Sequence, residues 1–319
     1  MKRLPNVGAS PSSRFFVFPL DRPSGRPTQE TTREPLTRWR SGSYTKGVKA
    51  IDLFAGIGGW SLPLRELGIR TLGVEFNKHA AATRDAAGLS TLCMDVRELN
   101  PLDFEFDVLV GSPPCQAFSQ ASKVKRGLKD SRGLLVFEPD RWVRARRPCF
   151  VALEQVRGAK KHFEAMASGW SELGYKCETR TLNAAEYGTP QRRKRAILLA
   201  RLDEAPVWPK PRPEATAASA LPHRSDLPPW AHERPATTVV GTFRPEIISP
   251  PGYRGPGEYS RHNAPGGFST SLEERLVLQG FPSDWPLQGP KTAKSLQVGN
   301  AVPPPLTRAI LRANLGPRV

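Results

Sequence analysis

Along the first two-thirds of the chain, short apolar runs alternate with stretches in which apolar residues recur every three or four positions. The runs "VKAIDLF" (48–54), "RTLGVEF" (70–76), "STLCMDV" (90–96), "DVLVGS" (107–112), "CFVALEQV" (149–156) and "RKRAILLAR" (193–201) predict strands. Between them, "GWSLPLRELG" (59–68), "NKHAAATRDAAG" (77–88), "LLVFEPDRWVRARR" (134–147) and "KHFEAMASGWSELG" (161–174) predict helices. Such alternation specifies an α/β fold, a doubly wound, mostly parallel sheet covered by helices on both faces. After Arg201 the periodicity gives way to proline-rich sequence, interrupted by a helix-like "SLEERLVLQGF" (271–281). The chain closes with "SLQVGNAVPPPLTRAILRANLG" (295–316), read as a turn followed by an apolar helix that returns to the first domain. The expected organisation is therefore a flexible tail (1–46), a main domain (47–200, completed by 290–319) and a smaller irregular domain (201–289).

Charge changes this picture. The formal net charge is +17, for which a polyanionic partner is the natural explanation, because lysines and arginines that neutralise phosphates release counterions; binding to a ribosome or a membrane surface would give the same total. Residues 123–147 hold nine Lys/Arg (Lys123, Lys125, Arg126, Lys129, Arg132, Arg141, Arg144, Arg146, Arg147) against Asp130, Glu138 and Asp140. A solvated charged helix explains the second half of that run, and explains the glycine-broken "SKVKRGLKDSRG" poorly. The tail and the residues up to Lys49 carry +7, whereas 201–289 has nine Lys/Arg against ten Asp/Glu. The chain has no stretch with the apolar length of a membrane span, and "FFVFPL" (15–20) is too short for a signal peptide core, so a cytoplasmic protein is expected. The four cysteines (Cys93, Cys115, Cys149, Cys177) include no CxxC pair and there is no histidine cluster at metal-ligand spacing, which argues against zinc and against a disulfide framework.

In a doubly wound sheet, ligands bind beyond the carboxyl ends of the strands, so the residues there carry the chemistry. The first strand runs into the glycine loop "FAGIGGW" (54–60), although Ser61 stands where the dinucleotide fingerprint needs its third glycine. Glu75, nineteen residues after Gly56, ends the second strand where an acid can accept both ribose hydroxyls, and Asp95 ends the third where it can accept from an adenine amino group. Either acid can instead cap the helix that follows. Taken together, loop and acids describe an adenosyl pocket, with Phe54 against the purine face. The fourth strand ends at Cys115 on a rigid Pro-Pro turn, where a thiol opens onto the basic loop as a nucleophile. The fifth ends at Glu154, costly at the end of an apolar strand unless paired, which suits proton transfer. In "YGTPQRRKRAILLA" (187–200), Gln191, Arg193 and Arg195 alternate on an extended segment and are expected to share one face, suited to a phosphate and a base carbonyl.

The order "DLFAGIGG", "GVEF", "MDV", "GSPPCQAFS", "DSRGLL", "LEQV", "PQRRKR", "LQGFP", "GNAVPP" resembles the DNA cytosine-5 methyltransferases of bacteria and their phages, from about residue 50 to the C-terminus apart from the middle of the small domain. The resemblance implies a Rossmann-like methyltransferase fold, S-adenosylmethionine as cofactor with S-adenosylhomocysteine as product and no metal, and double-stranded DNA as substrate. It implies that Cys115 adds to cytosine C6 while Glu154 acts at N3, that Arg195 holds O2, and that Arg193 holds neighbouring backbone or the active-site loop. Phe54, Gly56, Gly58, Glu75, Asp95, Pro114 and Asn300 would surround the cofactor, and Gln116, Ser119 and Gln191 would meet substrate. The target base must be flipped out of the duplex, with "QAFSQASKVKRGLKDSRG" closing over it and 201–289 reading sequence. A monomer associated with the nucleoid, and a cognate restriction endonuclease as functional partner, complete the expectation. One branch of the family works on tRNA. Two departures stand out. Gln155 occupies the place of the family's usual Asn, and "SPP" before Cys115 also matches the start of the amino-methyltransferase signature.

Overall fold

The computed structural model describes residues 47–114, 134–241, 246–250 and 266–316. The basic tail, residues 115–133 with Cys115, Gln116, Ser119 and the cations Lys123, Lys125, Arg126, Lys129 and Arg132, and residues 251–265 lie outside the described residues.

Among the described residues the elements run β1 (Lys49–Leu53), α1 (Ser61–Glu66), β2 (Arg70–Val74), α2 (Lys78–Ala86), β3 (Thr91–Leu92), β4 (Val108–Gly111), α3 (Glu138–Arg146), β5 (Phe150–Val156), α4 (Lys160–Ser171), β6 (Lys176–Asn183) and β7 (Lys194–Arg201). They continue with the short α5 (Ala217–Ala220) and α6 (Pro229–Glu233), then β8 (Glu246–Ile248), β9 (Phe268–Thr270), α7 (Leu272–Gln279), α8 (Lys291–Asn300) and α9 (Pro304–Leu315). The seven-stranded sheet has the order β3-β2-β1-β4-β5-β7-β6. The first five strands are mutually parallel, and β7 is antiparallel to both β5 and β6.

Side-chain parity on the pleated strands sorts the core into two layers. Ile51, Leu53, Leu109, Val151 and Leu153 point to the face covered by Trp142 of α3 and by Phe163 and Trp170 of α4. Ala50, Val108, Val110, Phe150 and Ala152 point to the opposite face, covered by Trp60, Leu64 of α1 and Leu306, Ile310 and Leu311 of α9. Each fully buried Leu or Val contributes about 1.5–3 kcal/mol of transfer free energy. The result is the doubly wound, mostly parallel sheet that the alternating pattern predicts.

Two elements depart from the sequence reading. The strand β6, "KCETRTLN", has no apolar run because it lies at the sheet edge and is largely exposed or half-buried, so only hydrogen bonding to β7 selects its conformation. The expected turn before the last helix is itself helical: α8 ends at Asn300, and Pro303 then opens α9.

Beyond β7, a third apolar cluster joins Ala217, Leu221, Leu227, Ala231, Ala236, Val239, Ile248, Phe268, Leu276 and Leu278 to Ile57, Leu62, Ala80 and Leu89. The irregular region thus buries its apolar residues against the glycine loop and α2, beside its own two-stranded β8–β9 sheet. No helix among the described residues is long and apolar enough to cross a membrane.

Candidate active site

Strand register aligns the predicted residues. Leu53 of β1 stands opposite Val74 of β2 on one side and Gly111 of β4 on the other, Val74 opposite Leu92 of β3, and Gly111 opposite Leu153 of β5. The next residue on each strand therefore lies in one row across the carboxyl edge: Cys93, Glu75, Phe54, Ser112, Glu154. Segments as distant in sequence as those of Phe54 and Glu154 share this row because parallel pairing holds their ends level.

At the glycine loop the backbone turns sharply, with Phe54 at φ 57° and Gly56 at φ 52°. A bulky side chain rarely adopts that left-handed conformation, and strain of this kind is kept where the surroundings over-determine it. The surroundings here are specific. Glu75 accepts from the Gly56 amide at 2.8 Å and from the Asn77 amide at 2.7 Å. Trp285 donates to the Ile57 carbonyl at 3.2 Å, and Thr307 of α9 donates to the Gly59 carbonyl at 2.6 Å. Burial raises the Glu75 pKa, the amide hydrogen bonds opposing it. Asp95 accepts from the Arg97 amide and, through both oxygens, from the Arg97 guanidinium, which lowers its pKa. Its capping alternative is thus realised in the three-residue turn Val96–Glu98. Each Glu75 oxygen has a further lone pair for a ligand hydroxyl, whereas both Asp95 oxygens already accept twice from Arg97, whose guanidinium would have to yield for a ligand amine to bind there.

Beside the loop, β4 leads into Ser112-Pro113-Pro114. Ser112 donates its amide to the Leu53 carbonyl, and its hydroxyl accepts from the Trp60 indole at 3.1 Å. The Gln155 side chain donates to the Pro113 carbonyl and accepts from the Val156 amide, so the amide that replaces the family's Asn ties the end of β5 to the proline turn. Pro114, half-buried, is the last described residue before Cys115.

Glu154 is buried, and its carboxylate pairs with the Arg195 guanidinium at 2.8 Å. Antiparallel register explains the meeting: Arg195 stands opposite Val156, two residues along from Glu154, so both side chains leave the same face of the β5–β7 pair. Of Gln191, Arg193 and Arg195, expected to share one face suited to a phosphate and a base carbonyl, Arg195 meets Glu154, whereas Gln191 and Arg193 are 0 % and 3 % exposed and are turned to the protein's own groups. Arg193 donates to the carbonyls of Val239 (3.0 Å) and Gly299 (2.9 Å). Gln191 donates to the Leu278 carbonyl and to Gln279, and accepts from the Val239 amide. A buried amide or guanidinium must be hydrogen-bonded, and these two use groups that the proline-rich region, α7 and α8 bring to them. They join the segment that leads into β7 to the proline-rich region, α7 and α8. Gly299 permits this by approaching residues 240–241 so closely that a Cβ would stand 2.0 Å from the Gly241 nitrogen. Asn300 follows it, exposed, and Val302 lies against Gly59, which brings this segment to the glycine loop.

The basic run 123–147 also divides. Arg141 pairs with Glu138 and donates to the carbonyls of Leu99 and Val96, Arg144 pairs with Asp140, and Arg147 donates to the Leu173 carbonyl. The second half of the run is committed within the fold. One residue of the edge escaped the sequence reading: Phe76, next to Glu75, is 75 % exposed. Its position at the end of an apolar run made it look like strand, and the signal that it leaves the strand is the capping Asn77 directly behind it.

Comparisons with known proteins agree with this geometry. The model of the C-5 cytosine-specific DNA methylase family matches residues 48–237 and 269–315. Type II methyltransferase M1.HphI of Haemophilus parahaemolyticus is 29 % identical over 85 % of this chain and 88 % of its own. Type II methyltransferase M.Eco47II of Escherichia coli is 30 % identical over 82 % of this chain and 77 % of its own. Among solved structures, the Entamoeba histolytica methyltransferase EhMeth superposes with a TM-score of 0.64 at 15 % identity, covering 83 % of this chain and 97 % of that one. Spodoptera frugiperda DNMT2, in a variant form, gives 0.63 at 17 % identity over 83 % and 98 %. With a match over most of its length, and a sheet edge that carries an acid–arginine pair two strands from a glycine loop, this chain belongs to the C-5 cytosine-specific DNA methylase family.

Proposed function

We propose that the protein transfers a methyl group to C5 of a cytosine flipped out of duplex DNA, through a transient bond between Cys115 and C6. The observation that carries this reading is the level row of strand ends, which sets the buried Glu154–Arg195 pair beside the proline turn that leads into Cys115, with the glycine loop one strand further along. C5 of cytosine is a poor nucleophile. Addition of a thiolate at C6, with Glu154 hydrogen-bonding or protonating N3, makes C5 enamine-like, and loss of the C5 proton later expels the thiolate. Arg195 fixes the Glu154 carboxylate and has donors left for the O2 of the same ring. Arg193 and Gln191 hold the protein's own groups rather than base.

The residues at the loop fit S-adenosylmethionine. Glu75 is placed to accept from the ribose hydroxyls, Asp95 from the adenine amino group, and Phe76 offers an exposed aromatic face for the purine, with Phe54 beside it. Gly56, Gly58, Pro114 and Asn300 would complete the pocket. When bound, S-adenosylmethionine supplies the electrophilic methyl group and leaves as S-adenosylhomocysteine.

Residues 47–200 with 290–319 would form the catalytic part and 201–289 the part that reads sequence. With nearly balanced charge, 201–289 would read through a few base contacts, while the cations between Lys123 and Lys129 and the tail supply contacts to phosphate. Gln116 and Ser119 would meet the flipped nucleotide, the protein acting as a monomer in the cytoplasm on nucleoid DNA. As with the Type II relatives, a restriction endonuclease of the same recognition sequence would be its functional partner.

The test is transfer of labelled methyl from S-adenosylmethionine to duplex DNA and, in parallel, to tRNA, followed by base-resolution mapping. Label at C5 of cytosine in one short DNA sequence is expected. Label in tRNA alone, or in no nucleic acid, would overturn the reading.

A further inference from the structure

The mechanism leaves unused a buried ion pair beneath the glycine loop. Arg84 of α2 and Asp52 of β1 are both fully buried. Arg84 donates to the Ala55 carbonyl (3.3 Å), the Ser61 hydroxyl (3.0 Å) and the Thr91 hydroxyl (3.2 Å). Ser61 in turn donates to Asp52 at 2.6 Å, and the Arg84 and Asp52 charges stand 3.7 Å apart. The second Asp52 oxygen has no hydrogen-bond partner among the described residues.

Space for this arrangement is built in. Gly73 of β2 faces the guanidinium, and a Cβ there would stand 2.0 Å from its Nη2. Burying two charges costs several kcal/mol per ion in effective desolvation, and an apolar pair of the same size is often as stable or more so. What the charged pair supplies and an apolar one does not is directional hold. Ala55 and Ser61 are the two ends of the glycine loop, and one guanidinium grips both. Glu75, Trp285 and Thr307 hold the loop between those points.

We propose that Arg84 is a positioning residue for S-adenosylmethionine: by gripping both ends of the loop from beneath, it sets the loop's shape and hence the affinity for the cofactor, without touching it. This rests on the reading of the loop as the cofactor site. Asp52 and Ser61 are its counterweights, orienting the guanidinium toward Ala55.

The test titrates the full-length protein with S-adenosylhomocysteine by calorimetry, comparing wild type with Arg84→Lys and with the charge-free pair Asp52→Asn/Arg84→Met, which leaves no uncompensated ion should Arg84→Met alone fail to fold. Glu75→Gln serves as the control for the loop itself. Both Arg84 variants are expected to raise Kd about tenfold, a change of about 1.4 kcal/mol, and to raise KM for S-adenosylmethionine by a similar factor, with a smaller effect on kcat and on KM for DNA. If they bind as wild type, or lose only melting temperature, while Glu75→Gln weakens binding, Arg84 is merely structural and the proposal fails alone. If Glu75→Gln also binds as wild type, the cofactor reading of the loop fails and takes this proposal with it.

Discussion

Glu154 and Arg195 show how residue-scale chemistry depends on register. Removing one partner of a buried ion pair leaves a charge with no compensation. Arg195→Met is therefore expected to cost about 3–5 kcal/mol of stability in urea unfolding. Glu154→Gln also removes the charge opposite Arg195 but keeps a hydrogen-bond acceptor against it, so it should lose less stability than Arg195→Met and bind S-adenosylhomocysteine as wild type while methyl transfer falls by about 10²–10⁴-fold. Asp52 gives a pH signature. Burial raises its pKa from 3.8 to about 6, against the opposing pull of Arg84 and Ser61 and with Glu75 adding to the rise. Because the folded value lies above the unfolded one, the stability Asp52 lends is complete below about pH 4 and is lost as pH rises through about 6, roughly 3 kcal/mol in all. Urea unfolding of wild type and Asp52→Asn from pH 4 to 7 should show their difference moving against wild type across that window, and a flat difference would contradict it. Sequence pointed to Glu154 and Arg195 because charges at the ends of apolar strands are conspicuous. It did not reveal the work of Arg84, Gln191 and Arg193, since their partners are backbone carbonyls and hydroxyls brought from elsewhere in the chain, which no local pattern announces.

At the scale of elements, apolar runs identified β1, β4, β5 and β7 because strands buried on both faces must be apolar throughout, and the same reading found β2 and β3, which are more exposed. β6 escaped for the complementary reason: an edge strand with one solvated face carries Lys176, Glu178 and Arg180 and looks like loop. α8 was hidden by the glycine and asparagine near its end, where a turn was expected and the helix in fact stops. Gly299 occupies that end because residues 240–241 cross it. Gly299→Ala is expected to force the crossing apart, lowering the melting temperature by several degrees and loosening the hydrogen bonds of Arg193. The arginines of α3 support a second expectation. Neutralising Lys123, Lys125, Arg126 and Lys129 should reduce the slope of log affinity against log salt by about 0.9 for each phosphate they would otherwise neutralise, whereas neutralising Arg141 and Arg144 should change stability and leave that slope alone. Equal slopes for the two sets would refute the division.

Over the whole molecule, the net charge of +17 is unevenly placed, with +7 in the residues up to Lys49, +4 in residues 115–133 and a slight negative balance in 201–289. If Cys115 is the nucleophile and 201–289 the reading region, as proposed, affinity for phosphate and choice of sequence would arise in different parts of the chain. The doubly wound sheet serves this by levelling five strand ends, and the irregular region serves it by packing against the glycine loop and α2 as well as on itself. The most direct measurement is incubation of the protein with S-adenosylmethionine and a duplex carrying 5-fluorocytosine at the mapped site, followed by denaturing electrophoresis and peptide mass mapping. Fluorine at C5 cannot leave as a proton does, so the account predicts a stable protein–DNA adduct attached at Cys115 and absent from Cys115→Ser. No adduct with the wild type, or an adduct that persists in Cys115→Ser, would contradict it.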